Sequence, residues 1–425
     1  MTGYVRTYYS ATAHAAPDRP PLAGDVTCDV CVIGAGYAGL STALHLAESG
    51  KKVVVLEAEK VGWGASGRNG GQVINGYSRD YDDNRRHYGE DSARALLEMN
   101  FEGANIIRQW ISQYNIDCDW KEGAFFAALN ARQMHGLERT RELWEKAGNK
   151  GLEMFDRTRV CEASNTDLYC GGLLDRQGGH IHPLNLALGE ARAIESLGGK
   201  IYEGSRALSI TQGVKPTAIT AKGRVIADTL VLCGNAYLGD TVPKLSCRIM
   251  SVSSHIVATE PLGSDVARRL MPANYSVEDC NFLLDYYRMS TDNRLLFGGG
   301  VSYGGRTASD IASLLAPRIA RVFPELAAVP LDFSWSCNFA LTLTRMFHVG
   351  RLSDSVYFIQ GDSGHGVAPC HLLGKLTAAA INRQSAGFDV FAGLRNYPFP
   401  GGRAFRVSLV TLGAWYYMLK EKLGL

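Results

Sequence analysis

Residues 28–57 leave this chain few possible folds. An apolar run, Cys28-Asp-Val-Cys-Val-Ile33, enters Gly34-Ala35-Gly36-Tyr37-Ala38-Gly39; a helix-like segment follows, and a second run, Lys52-Val-Val-Val-Leu56, ends on Glu57. The order predicts strand, glycine turn, helix, parallel strand and acid. Gly34 permits the tight turn, Gly36 lets the backbone approach a pyrophosphate, and Gly39 lets the helix pack close to the strand. The helix N-terminus adds unpaired N–H donors and the positive end of its dipole. Glu57, 18 residues past Gly39, is spaced to accept hydrogen bonds from ribose hydroxyls. A second glycine-rich loop, Gly62-Trp-Gly-Ala-Ser-Gly-Arg-Asn-Gly-Gly71, follows and leads into Gln72. A dinucleotide site drawing on both loops is expected.

At 425 residues the chain exceeds one ordinary core, so two domains interleaved in sequence are expected. Lys and Arg total 44 against 42 Asp and Glu, without runs of like charge, which argues against a nucleic-acid or anionic-membrane partner. Residues 1–24 are polar and lack the apolar core of a signal peptide. Ten cysteines without a framework spacing suit free thiols in a reducing cytoplasm. Cys28 and Cys31 lie three apart in a strand, where alternation turns them to opposite faces, so neither a redox couple nor half a zinc site is expected. His180 and His182, in a Gly/Pro segment without a third clustered ligand, read as loop hydrogen-bonders, and no metal site is expected. The apolar tail Val407–Leu419 falls short of the roughly 20 residues that cross a bilayer and reads as a helix packed on the body of the protein, with an interfacial membrane anchor as the less favoured alternative.

Periodicity predicts one amphipathic helix over Glu90–Tyr114, a strand pair over Asp117–Ala128 and a helix over Ala131–Gly148. A loop at Gly178–Pro183 is expected before a helix over Leu184–Leu197. Val225–Cys233 reads as an apolar strand that ends in Gly234-Asn235-Ala236 and brings backbone against a cofactor. Ser253–Glu260, Asn281–Met289 and Arg294–Gly299 read as strands, and Thr307–Phe323 as a helix. Asp354–Gln360 reads as a strand feeding Gly361-Asp-Ser-Gly-His-Gly-Val367, which opens a last helix. The fold expected is therefore α/β: a Rossmann-like nucleotide-binding domain of the glutathione-reductase type over 1–88, 166–246 and 335–425, the last part carrying the C-terminal helix. An inserted α+β substrate domain with an antiparallel sheet takes 89–165 and 247–334.

Gly34–Gly39, the 62–71 loop, Asn235–Leu238, Ser254–Pro261, Asn281–Arg288, Leu295–Ser302 and Gly364-His365-Gly366 together resemble the FAD-dependent amine and D-amino-acid oxidase superfamily, within it most closely the γ-glutamylputrescine oxidase group. The resemblance covers nearly the whole chain. It implies FAD held by discontinuous segments and oxidation of an amine to an imine that hydrolyses to an aldehyde, with O2 or another small acceptor taking the electrons. Only one strand-glycine-helix unit is present, so NAD(P)H is not expected to donate. For cofactor binding the expected residues are Gly34, Gly36, Tyr37, Ala38, Gly39, Glu57, Ala58, Gly64, Ala65, Ser66, Arg68, Asn69, Gly70, Gly71, Gln72, Ala207, Cys233, Gly234, Asn235, Cys337, Gly361, Ser363, Gly364, Gly366 and Val367. The Gly364, Gly366 and Val367 amides are expected to stabilise charge on the reduced ring.

The substrate must bind as neutral amine, which an apolar, aromatic-walled pocket favours. Tyr286, Tyr287, His255, Trp335 and His365 are the catalytic candidates, with Phe339 as a further wall. Alternation in a strand allows only one of the two tyrosines to line the pocket. Asp362 stands where the resemblance leads one to expect an aromatic residue; its carboxylate either binds a cationic substrate or makes a turn. Trp335–Leu341 lacks the arginine with which amino-acid oxidases hold an α-carboxylate, which turns the expectation toward an amine with distal polar groups, met by Arg288 or Arg345. The alternatives are a secondary-amine oxidase or dehydrogenase of the sarcosine or iminodiacetate kind and a non-catalytic FAD-binding subunit. Cys337 falls where, by resemblance, sarcosine oxidase-like proteins carry a flavin-linked cysteine, and Phe347 agrees with them; noncovalent FAD is the favoured expectation, with a link to Cys337 as the alternative.

Overall fold

The computed structural model describes residues 3–239 and 241–422, with the backbone alone for 403, 404 and 417–422. Two sheets organise it. The main path of the first runs His348–Ser353, Val356–Gln360, Gly223–Leu232, Gly24–Ile33, Val53–Leu56 and Lys200–Tyr202. Its pairings are parallel except at the His348–Ser353 edge and the hairpin of Ser209–Thr211 and Thr217–Ile219. The strands are apolar on both faces because each face is covered. Val30, Val32, Val53 and Val55 pack with Leu40 and Leu44 of the Tyr37–Glu48 helix, whereas Cys31, Ile33, Val54 and Leu56 pack with Ala218 and Leu245.

Cys28 meets the same cluster as Cys31, contrary to simple alternation. The amides of Asp29 and Val30 both donate to the Lys52 carbonyl, and beyond them the alternation changes phase. Both thiols are free, and burial raises that of Cys28 to about 12.

The second sheet runs Leu331–Thr342, Ile249–Thr259, Leu295–Tyr303, Asp285–Met289, Ser276–Asp279, Lys121–Ala128, Gly171–His180 and Gln72–Val73, with Leu152–Asp156 beside Gly171–His180. It is antiparallel except where Ser276–Asp279 meets Lys121–Ala128. Those strands come from segments far apart in sequence, so no hairpin fixes their direction. Gly171–His180 belongs to this sheet, and so does Leu331–Thr342, so the chain returns to the first sheet after His180 and after Thr342, later than the expected 166 and 335.

Four other local expectations change. The helix over 90–114 breaks into Glu90–Glu98 and Glu102–Gln113. A Cβ on Gly103 would lie 2.0 Å from the Ala368 carbonyl oxygen, so the second piece takes its direction from the helix it abuts. Lys121–Ala128 is a single strand rather than a pair. Gly178–His180 continue a strand and do not loop, because Gly179 admits the Lys121 carbonyl, 2.2 Å from where a Cβ would sit. Asn281–Leu284 leave the sheet, since Asp279 accepts from the Asn281 backbone N–H at 3.0 Å and from its Nδ2 at 2.9 Å and turns the chain there.

The Gly402–Lys422 helix anchors through Arg406, which donates to the Ser246 and Ile249 carbonyls, and buries Ala414 while Phe405, Leu409, Leu412, Trp415 and Tyr416 are exposed. Among the described residues no helix is long and apolar enough to cross a membrane.

Candidate active site

A cavity of about 650 Å³ runs from the glycine turn between the sheets to the wall of the second sheet. At one end Glu57 holds the turn: its Oε2 accepts from the Ala35 N–H at 2.7 Å and its Oε1 from the Glu59 N–H at 2.9 Å. Burial raises its pKa, and those two amides oppose the rise. Gly34, Gly36, Tyr37, Ala38, Glu57, Ala58 and Ala207 line this end, with Arg206 directed to Glu59 at 3.3 Å. Gly39 stays behind the wall. A Cβ there would lie 1.9 Å from the Gly34 carbonyl oxygen, which accounts for a glycine that touches no ligand. The Tyr37 amide donates to Ser66 Oγ at 2.9 Å, and the Tyr37 hydroxyl donates to the Pro183 carbonyl.

The second loop folds over the cavity. Gly64, Ala65, Ser66, Asn69, Gly70 and Gln72 line it, whereas Arg68 and Gly71 do not. Arg68 stacks on Trp63 at 4.6 Å and donates to the Ser336 carbonyl and the Tyr237 hydroxyl, tying the loop to the neighbouring sheet. A Cβ on Gly71 would lie 2.4 Å from the Ile181 carbonyl oxygen. Asn69 braces the loop by donating to Ala65 and Ser66 and accepting from the Gly71 N–H.

Opposite, Cys233, Gly234 and Asn235 line the cavity with Ser363, Gly364, His365, Gly366 and Val367, where the Val367–Ile381 helix begins and aims its N-terminal amides inward. Gly361 stands outside, its N–H donating to Asn235 Oδ1 at 2.9 Å. Asp362 is a lining residue that also ties the loop down: its Oδ1 accepts from the Ala340 N–H at 3.1 Å and from Asn235 Nδ2 at 3.3 Å. Burial raises its pKa to about 6. His365 is held neutral, burial lowering its pKa to about 4. Within this helix the buried His371 bridges Glu190 Oε1 and the Val367 carbonyl one turn back, each at 2.6 Å, tying the first turn to the Pro183–Ser196 helix.

On the sheet wall, Tyr286 faces the cavity and its hydroxyl lies 3.1 Å from Ser254 Oγ. Three other catalytic candidates do not line it. Tyr287 points to the opposite face, stacked on Phe297 at 5.7 Å. His255 is fully buried and accepts from the Ala308 N–H at 3.2 Å, and Trp335 is packed against Tyr9 with its Nε1 donating to the Arg68 carbonyl at 2.9 Å. Arg288 is likewise internal, donating to the Gly70 and Ile181 carbonyls and the Tyr9 hydroxyl. Cys337 and Phe339 line the cavity; burial lifts the Cys337 thiol to about 11, with Arg68 opposing and Asp362 adding to the rise. His180 and His182 are buried hydrogen-bonders, the first facing the Asn274 carbonyl, the second capping the Pro183–Ser196 helix.

The sequence reading passed over Glu278, Asn281, Phe282, Tyr303 and Arg79, all on the cavity wall. Arg345 also lines the cavity, its guanidinium over the Phe282 ring at 4.8 Å.

The residues fit a dinucleotide. A Cβ on Gly36 would stand 2.9 Å from Ser66 Oγ and close the approach to the helix N-terminus, and the cavity continues without interruption from Glu57 to Tyr286. Fold and cavity define an oxidoreductase class in which an adenine dinucleotide lies between a parallel sheet and a substrate-bearing second sheet. The chain belongs to the family of FAD-dependent oxidoreductases known as DAO, whose model matches residues 29–380. It is 50% identical over 425 residues, covering all of both chains, to gamma-glutamylputrescine oxidoreductase of Escherichia coli, and 41% identical to a probable oxidoreductase, OrdL, of Haemophilus influenzae, over 99% of this chain and 98% of the other. Among solved structures, glycine oxidase of Geobacillus kaustophilus superposes with a TM-score of 0.73 at 19% identity, covering 88% of this chain and 99% of the other. Iminodiacetate oxidase of Chelativorans superposes with 0.68 at 16%, covering 84% and 95%. These two show the fold.

Proposed function

We propose that the chain oxidises the primary amine of a γ-glutamylated diamine such as γ-glutamylputrescine, in polyamine catabolism, giving an imine that hydrolyses to the aldehyde while O2 is reduced to H2O2. When bound, FAD accepts a hydride from the carbon beside the nitrogen. The chain's own residues exclude water, orient the amine and manage its proton. Tyr286, Phe282 and Phe339 supply low-dielectric walls that lower the pKa of an entering amine. Gly364, Gly366 and Val367 present amides at a helix start, which favours negative charge opposite them.

The observation that carries the substrate reading is the position of cationic groups along the cavity. Of the three lining arginines, Arg206 faces Glu59 at the Glu57 end, Arg79 pairs with Asp83 at 2.9 Å, and Arg345 stands over Phe282. Arg79 and Arg206 are each paired with a carboxylate of the chain, so Arg345 is the cation toward which the reading directs a substrate carboxylate. A long substrate with its carboxylate at Arg345 and its amine farther in satisfies this layout, and it agrees with the full-length likeness to a protein named for γ-glutamylputrescine. FAD is held noncovalently in this reading, because a thiol raised to about 11 supplies little thiolate at neutral pH. Steady-state peroxide release tests the substrate: γ-glutamylputrescine is expected to exceed glycine, sarcosine and iminodiacetate in kcat/KM by at least about 100-fold, the difference that an unpaired buried polar group imposes. A preference for the N-alkyl amino acids would overturn it.

A further inference from the structure

Glu278 lines the same cavity wall as Tyr286, which is its register partner on the adjacent strand, so both side chains leave the sheet on one face. It is 8% exposed, and among the described residues its carboxyl has neither an ion pair nor a hydrogen bond to a protein group. Asp279, the next residue, turns to the other face, where it bonds to Asn281. Buried carboxyls are normally paired, and this one is aimed into the space where the preceding reading puts the substrate.

We propose that Glu278 receives the substrate's reacting amine, pairing with the ammonium as it enters and then taking its proton. The assignment rests on the oxidase reading above and names the group that selects amines at that site. The titratable groups nearest Glu278 are Asp279, next to it in sequence but on the other face, the thiol of Cys280 after it and the phenol of Tyr286 opposite; Phe126 is its register partner on the third side. Among the described residues no cation pairs with Glu278, and burial, with a smaller contribution from Asp279, raises the carboxyl to about 8. At neutral pH the free enzyme therefore holds Glu278 as the acid. An arriving ammonium displaces that proton to solvent and forms a carboxylate–ammonium pair; transfer of one N–H proton to the carboxylate then leaves the neutral amine with its lone pair. One proton is released per amine bound, and the nitrogen loses one proton and no electrons before oxidation.

The test combines variants with a measurement on the unaltered holoenzyme. Glu278→Gln should keep one FAD per chain and its spectrum, raise KM for the amine by about tenfold or more, as loss of a charged hydrogen bond implies, and lose the rise of kcat/KM centred near pH 8. Glu278→Asp should restore part of both. On wild-type enzyme, an amine branched so that it has no hydrogen on the carbon beside nitrogen binds without being oxidised; at pH 7 an indicator dye should record release of about one proton per site. Unchanged KM and pH profile in Glu278→Gln, or binding of that amine to the holoenzyme without proton release, would overturn the assignment. Failure of the oxidase reading looks different: no amine would bleach the wild-type flavin at all, and the assignment would fall with it.

Discussion

A Cβ on Gly298 would stand 2.1 Å from the Tyr286 ring, so the absence of a side chain on one strand is what lets the neighbouring ring lie against the sheet and face the cavity. Gly70 of the second glycine loop closes the other side of the slot, with its virtual Cβ 2.5 Å from the same ring. Tyr286 is thus fixed by two glycines and by Ser254, and its position needs no other polar anchor.

Gly298→Ala should therefore displace Tyr286 and lower kcat/KM by about tenfold or more, in the range of overpacking penalties, while FAD content stays at one per chain. Tyr286→Phe, which removes only the hydroxyl pair with Ser254, should cost about 1 kcal/mol or fivefold. Steady-state kinetics beside flavin absorbance separates the two, and a Gly298→Ala enzyme with wild-type kinetics would show that Tyr286 does not touch substrate.

Glu57 is engaged by two backbone amides before any cofactor arrives. Glu57→Ala removes both charge-assisted bonds, each worth about 1.5–3 kcal/mol, and should weaken FAD by at least about tenfold, leaving a paler protein that gains colour on adding FAD. Equilibrium dialysis measures it, and unchanged affinity contradicts the role given to Glu57.

The cofactor end was legible in the sequence because its chemistry is backbone chemistry, and glycine spacing records where backbone must come close. Gly34, Gly36 and Gly39 illustrate this, each with a distinct close approach. Glycines elsewhere misled for the same reason: Gly178 and Gly179 mark close strand crossing and not a loop. The sheet wall was legible only in part. Alternation separates Tyr286 from Tyr287 but does not say which faces the cavity, and His255 and Trp335 are polar aromatics whose partners, the Ala308 N–H and the Arg68 carbonyl, lie far off in sequence. Glu278 stayed hidden because its meaning depends on the lack of a cation, which only three-dimensional packing shows.

Burial raises Glu278 from 4.5 to about 8, so its contribution to stability is complete below pH 4.5 and is lost as pH rises toward 8, where the folded chain must carry a buried carboxylate. Glu278→Gln carries no such charge. Its Tm should exceed that of wild type at pH 8.5 and approach it at pH 5, measured on the holoenzyme; the opposite order would show that the folded state favours the ionised carboxyl.

Acid precipitation addresses Cys337. All yellow colour should remain in the supernatant and the intact mass should equal the bare polypeptide, and Cys337→Ser should retain FAD. Colour in the pellet would establish a covalent link and an environment that stabilises the thiolate, contrary to the burial that raises this thiol.

Anaerobic reduction of the bound flavin tests the central claim most directly. With one dinucleotide unit and an amine-binding wall, the flavin should bleach within seconds on adding γ-glutamylputrescine, stay oxidised with NADPH, and recover its yellow with stoichiometric H2O2 when air is admitted. Bleaching by NADPH with no response to the amine would contradict the account.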